Sequence, residues 1–513
     1  MTKRLFLFLS LLSAGLLLCG CAGKVPLSDT SPEITLPPAS QSLVAPIGDA
    51  ALEYPADATL YLPRHSGERL TALTSSVTFS ASRPQAESLV RALLNHSSTD
   101  TAATLGGKVK LALYGVNPVE VSLNVATVNL AANALQMSRS DLYMAFQAIT
   151  NTLTELPEID YVNFLVVDRA VGLDVTNTLP MGAFSRSVGQ DINAAYEQKL
   201  TRRVAVTENA ASKPLSANAT LYFPLAGCPG LLSEVRTCSF SNQLTTDMIL
   251  TLLKELGKGP QQQQINSPAF PLLTDLLSDL PLASYSDELG GDVIDLRFAY
   301  NLDEMLEASN VSRANCMASL CYTLSSFFPG VAGITVTIGQ QPVETLMLTE
   351  SFTSSILFSD QVLKRTDFAP LLYDLGVLYF TSQSTGKLTQ TLRPLPYFQK
   401  QNPRVLLQEL SKGPKDYDLI QNLAAVMPAD CIQDADLLGL ALSDSTILVN
   451  FAPSFQKVGE GMTESRERLL AYAIVNTLCE NQPVGSVCFF ISGAPPSGFS
   501  GKIYWSGLFY PLY

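Results

Sequence analysis

Apolar and polar residues alternate in the same way at three places along the chain, each after a turn-rich stretch. This alternation predicts a β-strand. The three segments are Thr59-Leu60-Tyr61-Leu62-Pro63, Thr220-Leu221-Tyr222-Phe223-Pro224 and Val377-Leu378-Tyr379-Phe380-Thr381. An apolar stripe with helical spacing follows each strand and predicts a helix. Its members are Leu89 and Leu93, then Ile249, Leu252, Leu253 and Leu256, and finally Leu406 and Leu410.

The predicted helix ends on the same three residues in the second and third copies. Lys258-Gly259-Pro260 and Lys412-Gly413-Pro414 supply a glycine for a left-handed cap and a proline that cannot continue the helix. Asn402-Pro403 favours a helix start, with an Asn cap and Pro at the first helical position. The first copy ends on Asn95-His96-Ser97 instead, so we expect it to be the most divergent.

A second strand, a second helix and a last apolar strand complete each copy. The second strands are predicted at residues 121–126, 294–299 and 447–452, and the last strands at 163–167, 333–338 and 486–491. The second-helix stripes are Leu142, Phe146, Ile149 and Leu153, then Met317, Cys321, Leu324 and Phe328, then Leu470, Ile474, Thr477 and Leu478. The sequence separation between the alanine that ends the second strand and a threonine in the second helix is 26, 24 and 25 residues in the three copies. The pairs are Ala126 and Thr152, Ala299 and Thr323, and Ala452 and Thr477. Matching order and spacing predict three homologous α+β modules.

These motifs together resemble the GerM domain family, the sporulation and spore-germination domain. The resemblance rests on the Leu-Tyr-Phe strand, the Lys-Gly-Pro helix stop, Asn450-Phe451-Ala452, Asn476-Thr477-Leu478 and the ending Gly501-Lys502-Ile503-Tyr504-Trp505-Ser506-Gly507. It covers most of residues 55–175, 217–343 and 375–507 and is clearest in the second and third copies. It implies small α/β-sandwich modules, each a mixed sheet with two helices, similar to the ring-building motifs of secretion and sporulation assemblies. It also implies an extracytoplasmic role in supporting envelope complexes.

The predicted organisation places these modules after a leader and a tether. It comprises a lipoprotein signal peptide (1–20), a proline-rich tether (21–54), modules 1, 2 and 3 (55–175, 217–343 and 375–495), linkers at 176–216 and 344–374, and a C-terminal strand segment (496–513). We expect the apolar segment around Trp505 to dock on module 3, because an exposed run of that kind invites aggregation.

The N-terminus has the features of an exported, lipid-anchored protein. Lys3 and Arg4 precede an apolar run at residues 5–18, which is short for a membrane span and typical of a signal-peptide core. The run ends in Leu18-Cys19-Gly20-Cys21, which resembles the bacterial lipobox and makes Cys21 the expected lipidation site. A plain secretory signal is the alternative. The predicted location is therefore the outer face of the cell membrane.

Composition and charge exclude several other classes. In 513 residues, 47% hydrophobic and 15% charged residues rule out global disorder and a collagen-like chain. The net charge of −13, without a basic cluster, argues against a nucleic-acid partner. The chain has two histidines, His65 and His96, a number that nearly excludes a metal site built from imidazole ligands.

Seven cysteines remain besides Cys19 and Cys21, and the sequence does not fix their pairing. They are Cys228, Cys238, Cys316, Cys321, Cys431, Cys479 and Cys488. Cys228 could pair with Cys238, and Cys479 with Cys488, whereas Cys316 and Cys321 are poorly spaced on one predicted helix. No CxxC motif is present, so a zinc or redox site is not expected.

No arrangement of residues predicts catalysis, a cofactor or a metal site. The two histidines fall in one module on a loop and a helix end, and the other copies lack an equivalent. Glu255 and Glu409 are candidate acids for glycan hydrolysis, which needs a carboxylate pair, but they fit better as helix-face charges. No phosphate-binding glycine loop or calcium loop occurs.

The sequence therefore favours a non-enzymatic lipoprotein whose modules mediate protein–protein interaction in envelope or sporulation complexes. The expected partners are the membrane, through the lipid anchor, and envelope or sporulation proteins, with oligomerisation left open. The alternative is a lipoprotein that binds peptidoglycan fragments or another small ligand in a cleft between modules. A cell-wall hydrolase is the third and least supported hypothesis.

Overall fold

Each repeat folds as a long β-hairpin, a helix, and a small mixed sheet that carries a second helix. The computed structural model describes residues 43–50, 52–203, 213–226, 229–261, 267–348, 355–358, 360–482, 484–496, 498–499 and 503–512. From Val44 onward the chain forms one compact unit. The predicted α+β class with three small modules is confirmed.

Module 1 begins with the longest hairpin of the three. Its elements are β1 Glu53–Pro63, β2 Leu70–Ser80, α1 Gln85–Asn95, β3 Val119–Ser122, β4 Val125–Leu130, α2 Arg139–Leu153, β5 Tyr161–Val166, β6 Arg169–Ala170, β7 Phe184–Ser185 and α3 Ile192–Arg203.

Module 2 repeats this order and adds two short strands at its end. Its elements are β8 Leu215–Pro224, β9 Leu231–Phe240, α4 Thr245–Gly257, β10 Leu282–Ser286, β11 Gly291–Phe298, α5 Leu302–Ala308, α6 Arg313–Phe327, β12 Val331–Ile338, β13 Gln341–Pro342, β14 Thr345–Met347 and β15 Ser355–Leu357.

Module 3 follows a 3₁₀ helix at Arg365–Leu371. Its elements are β16 Tyr373–Ser382, β17 Leu388–Pro396, α7 Pro403–Ser411, α8 Asp416–Ile420, β18 Leu423–Ala424, β19 Leu437–Ser443, β20 Thr446–Phe451, α9 Phe455–Val458, α10 Glu464–Asn481, β21 Ser486–Ile491 and β22 Leu508–Phe509.

The three mixed sheets share one topology. Their strand orders are β3-β4-β5-β6, β10-β11-β12-β13 and β19-β20-β21-β22. In each sheet the first pair is antiparallel, the second is parallel and the third is antiparallel. The helix that connects the parallel pair is α2, α6 or α10, as expected for a crossover that covers one face of a sheet. The first strand of each order, β3, β10 or β19, is therefore the edge of its sheet.

The predicted helix stripes form the cores. Leu142, Phe146, Ile149 and Leu153 of α2 are fully buried, as are the matching residues of α6 and α10, except that Phe328 lies just beyond the end of α6. Gly259 and Gly413 have φ of 70° and 80°, so both Lys-Gly-Pro stops use the left-handed cap that the sequence predicts. Asn402 caps α7 through its side chain, with Pro403 as the first helical residue.

One strand prediction is wrong. Residues 121–126 are not a single strand, because the chain turns between Ser122 and Val125, with Leu123 at a φ of 51°. The strand equivalent to β11 and β20 is β4, so Asn129 and Ala131, rather than Asn124 and Ala126, correspond to Asn450 and Ala452. The error is a slip of five residues. It arose because apolar alternation continues through the turn.

The two predicted linkers contribute to the cores of the modules they follow. Within residues 176–216, Met181, Phe184, Ile192 and Tyr196 pack in the core of module 1. Within residues 344–374, Phe358, Leu363, Phe368 and Leu371 pack in the core of module 2. Both stretches lack clear periodicity, so the sequence indicated spacers.

Both ends of the described chain dock on module 3. Trp505 is 1% exposed, and β22 pairs with β21, so the C-terminal segment is docked as predicted. Residues 46–50, which we predicted as tether, lie along β19 and are called the N-terminal strap below. The signal peptide and Cys21 lie outside the described residues. No helix among the described residues is long and apolar enough to span a membrane.

Candidate functional site

A hydrogen bond between hairpin and second helix recurs in all three modules. The backbone N–H of Tyr61, Tyr222 or Tyr379 donates to the hydroxyl of Thr152, Thr323 or Thr477, at 2.9, 3.3 and 3.2 Å. Each threonine is fully buried. The tyrosine and threonine that recur in the sequence thus recur for a structural reason: the hydroxyl satisfies a backbone donor that faces the core.

Replacing Thr323 with valine should lower the free energy of unfolding by about 1–3 kcal/mol. Valine keeps the shape but leaves the N–H of Tyr222 buried without an acceptor. Urea unfolding of the full chain measures the change. Thr251→Val is the matched control, since its hydroxyl bonds a carbonyl of its own helix at a partly exposed position. Equal midpoints for the two variants would contradict the assignment.

The two Lys-Gly-Pro stops are held by a buried arginine of the hairpin. Arg236 donates to the carbonyl of Gly259, and Arg393 donates to that of Gly413. Glu255, a candidate acid, lies 3.7 Å from Arg236. The other candidate, Glu409, lies 3.1 Å from Arg393. Both acids also pair with the lysine of their own stop.

These contacts give Glu255 and Glu409 a structural role. In module 1, Ser75 occupies the position equivalent to Arg236 and Arg393. Each of the three pairs with the residue three positions before the recurring tyrosine, which is Tyr61 in module 1. Module 1 thus lacks the arginine as well as the Lys-Gly-Pro stop that it would bind.

Arg365 joins modules 1 and 2. It is 5% exposed and lies in the 3₁₀ helix before module 3. Its guanidinium forms an ion pair with Glu120 of β3, donates to the hydroxyl of Ser326 at 2.7 Å, and lies 4.1 Å from the ring centroid of Tyr322. The charge is therefore buried among module 1 and module 2 side chains, where an acid and an aromatic face compensate it.

The edge strand of module 1 is closed by the other two modules. The hydroxyl of Ser122 donates to the carbonyl of Tyr373 at 2.7 Å, and Asp374 accepts from the N–H of Leu123 at 3.0 Å. Ser233 of β9 donates through its hydroxyl to the carbonyl of Ser122. Three of the four residues of β3 are buried.

The edge strand of module 3 is closed by the N-terminal strap. The N–H groups of Gly48 and Ala50 donate to the carbonyls of Leu438 and Leu440 at 2.7 and 2.9 Å. Asp49 forms a bidentate ion pair with Arg404 of α7, at 2.9 and 2.7 Å. A Cβ atom at Gly439 would lie 2.5 Å from the carbonyl oxygen of Gly48, so this glycine permits the close approach.

The edge strand of module 2 is open. No residue of β10 is buried, and Leu282 and Tyr285 are 61% and 66% exposed. Leu280, just before the strand, is 72% exposed. Residues 271–297 contain six acidic residues (Asp275, Asp279, Asp287, Glu288, Asp292 and Asp295) and one basic residue, Arg297, which forms ion pairs with Asp279 and Asp295. Of the three equivalent edges, this one is exposed, and its surroundings are apolar and acidic.

The two histidines lie in module 1, and the described cysteines are wholly or partly buried. His65 is exposed, and its Nε2 lies 2.7 Å from the carbonyl of Thr99, while His96 ends α1. Burial raises the pKa of Cys238 and Cys431 to about 11 and of Cys316 and Cys479 to about 12, which keeps these thiols protonated at neutral pH. All six described cysteines are free, Cys479 and Cys488 included; Cys228 lies outside the described residues. Among those residues, no group of His, Cys, Asp and Glu could hold a metal ion.

Two cavities of about 540 Å³ lie between modules, as the alternative ligand-binding hypothesis requires. One lies between module 1 and the 3₁₀ helix before module 3, and Tyr114, Asp168 and Tyr397 are among its lining residues. The other lies between modules 1 and 2, and Arg139, Arg169 and Tyr285 are among its lining residues.

Comparison with solved structures finds proteins of low sequence identity. The tandem GerMN domains of the sporulation protein GerM from Bacillus subtilis are 17% identical over 56% of this chain and 96% of that chain, with a TM-score of 0.21. The first of those domains is 19% identical over 27% of this chain and 96% of that chain, with a TM-score of 0.21. A Clostridium perfringens protein described as a candidate lipoprotein is 19% identical over 26% of this chain and 88% of that chain, with a TM-score of 0.18. Comparison with curated proteins gave no match.

A family model locates the resemblance in the chain. Residues 59–171 and 377–497 match the Germane family, described as sporulation and spore germination. These ranges fall on modules 1 and 3, whereas we expected modules 2 and 3 to carry the clearest resemblance. The family is described by a cellular process and not by a reaction. These two segments, which make up a little under half of the chain, match the Germane family of sporulation and spore germination.

Proposed function

We propose that this chain is a non-enzymatic, extracytoplasmic lipoprotein whose tandem modules mediate protein–protein interaction in the assembly of envelope or sporulation complexes. It would be anchored through Cys21 to the outer face of the membrane. A basic, extended segment of a partner protein would add to the open edge strand β10 of module 2.

The observation that carries the proposal is the difference among three equivalent edges. An unpaired strand edge is a template for another strand, and proteins usually cover or block it. This chain covers β3 with modules 2 and 3 and covers β19 with its own strap, but leaves β10 exposed. The strap demonstrates how a module edge of this type accepts an extended segment, with backbone bonds and one charged side-chain pair.

The charge around β10 indicates what kind of segment would bind. Asp287 and Glu288 are exposed directly after the strand and Asp275 is exposed before it, whereas Asp279 pairs with Arg297. On the covered edge an acid of the strap, Asp49, binds a basic residue of the module, Arg404. On β10 the acids belong to the module, so the complementary segment carries lysine or arginine.

Binding of short peptides to the full chain tests this edge. We expect a labelled hexapeptide of alternating valine and lysine to bind saturably by fluorescence anisotropy, and its valine–glutamate counterpart not to bind. Leu282→Lys should weaken binding about tenfold, since it removes an apolar contact and adds a like charge.

Leu438→Lys is the matched control, because it makes the same change on the edge that the strap covers. That variant should bind the lysine peptide as the unmodified chain does. Equal binding of both peptides, or an unchanged affinity in Leu282→Lys, would contradict the proposal.

A further inference from the structure

The cavity between modules 1 and 2 contains two arginines, Arg139 and Arg169, that form no ion pair with an acidic side chain of the described residues. Arg139, the first residue of α2, donates to the carbonyl of Asp174 at 3.1 Å and to the amide oxygen of Asn177 at 3.4 Å. Arg169 of β6 donates to the carbonyls of Leu289 and Gly290. Among the described residues, neither guanidinium forms an ion pair with a carboxylate. Both therefore keep a net positive charge in a chain whose net charge is −13.

Backbone contacts fix the position of Arg169 across the module boundary. Gly330 donates its N–H to the carbonyl of Ala170 at 3.0 Å, which joins the two modules beside the cavity. A Cβ atom at Gly291 would lie 2.9 Å from a guanidinium nitrogen of Arg169. The absence of a side chain at Gly291 thus leaves room for the arginine, which is held in place before any ligand arrives.

The rest of the lining suits a polar ligand with one anionic group. Asn177 supplies an amide group and the exposed ring of Tyr285 forms one wall, whereas the hydroxyls of Thr176 and Thr178 already donate to the carboxylate of Asp174. Asp292 is the one acidic residue in this lining. A volume of about 540 Å³ is within the range of small-molecule sites.

We propose that this cavity is an oxyanion-binding site, in which Arg139 and Arg169 together bind a carboxylate or phosphate group of a small polar ligand. Arginine is suited to this role because its planar guanidinium offers paired donors to either group. This site would recognise an oxyanion, whereas the open edge β10 would bind an extended peptide segment. It gives the chain a small-molecule function besides its proposed protein contacts.

Calorimetric titration of the full chain tests the site. The probes are sodium phosphate and sodium glutarate, each added at constant ionic strength. We expect saturable binding of at least one probe at one site per chain. Phosphate binding alone would assign a phosphate ligand, glutarate binding alone a carboxylate ligand, and binding of both a general oxyanion site.

Variants of the lining separate this site from non-specific attraction. Arg139→Gln with Arg169→Gln should weaken binding at least tenfold, whereas Asp292→Asn should strengthen it about two- to fivefold. The control Arg64→Gln with Arg466→Gln removes the same charge from exposed positions and should leave the affinity unchanged. If the double arginine variant does not fold, Arg139→Gln alone should still weaken binding, because its contacts lie within module 1. Absence of saturable binding of both probes, or equal affinities in the lining and control variants, would overturn the proposal.

Discussion

Replacing Arg365 with alanine is expected to lower the free energy of unfolding of the full chain by about 3–5 kcal/mol. The change removes the partner of Glu120, whose side chain is only 15% exposed, and it removes a cation packed against Tyr322. An acid left without its partner in a buried interface is costly, whereas an intact pair need not be strongly stabilising. Urea unfolding followed by circular dichroism measures the loss.

Two further variants separate the charge from the packing. Arg365→Met with Glu120→Gln removes both charges and keeps most of the side-chain volume, so it should recover at least half of the lost stability. Arg466→Ala removes an exposed arginine and should change stability by less than about 0.5 kcal/mol. If Arg365→Ala matched Arg466→Ala, modules 1 and 2 would not be joined at this residue.

Replacing Trp505 with alanine is expected to cost about 3–5 kcal/mol of stability. Its ring packs against Phe489, Phe499 and Phe509, with centroids 4.9, 5.2 and 5.6 Å apart. Its indole N–H donates to the fully buried carboxylate of Glu467 at 2.6 Å. Truncation of a large buried aromatic side chain leaves a cavity, and here it also removes a donor from a buried acid.

Trp505→Phe keeps one aromatic ring at this position and loses the hydrogen bond and part of the packing, so a smaller cost of about 1–3 kcal/mol is expected. Both variants lack the only tryptophan, so circular dichroism must follow their unfolding. A Trp505→Ala midpoint equal to that of the unmodified chain would mean that the C-terminal segment does not pack on module 3 in solution.

Local patterns predicted much of each module. Three features depend on contacts within one module, where the sequence spacing is regular. They are the recurring tyrosine and threonine, the glycine of each Lys-Gly-Pro stop, and the apolar faces of the second helices. The predicted position of the second strand in module 1 was wrong for a related reason. Alternating residues at 121–126 fit a strand equally well on both sides of the turn at Leu123, and periodicity alone cannot place a tight turn.

Contacts between modules could not be predicted in this way. Arg365 and Glu120 are 245 positions apart in the sequence, and nothing in the composition near either residue indicates the other. The strap at residues 46–50 has the composition of a linker, so the sequence does not indicate that it docks. It is held by backbone hydrogen bonds to β19 and by the pairing of Asp49 with Arg404. The cavity that contains Arg139 and Arg169 likewise exists only where two modules meet.

Photo-crosslinking from β10 tests the central claim, that the open edge of module 2 binds a basic extended segment of a partner protein. The full chain would carry a photo-reactive amino acid in place of exposed Ser284, in its own cells through growth and starvation, and mass spectrometry would identify the crosslinked peptide. We predict one partner protein, crosslinked through a lysine- or arginine-rich segment, with the crosslink lost in Leu282→Lys and absent when the probe replaces Leu438. Crosslinks to acidic or scattered segments, to glycan alone, or at equal yield in Leu282→Lys would contradict the claim.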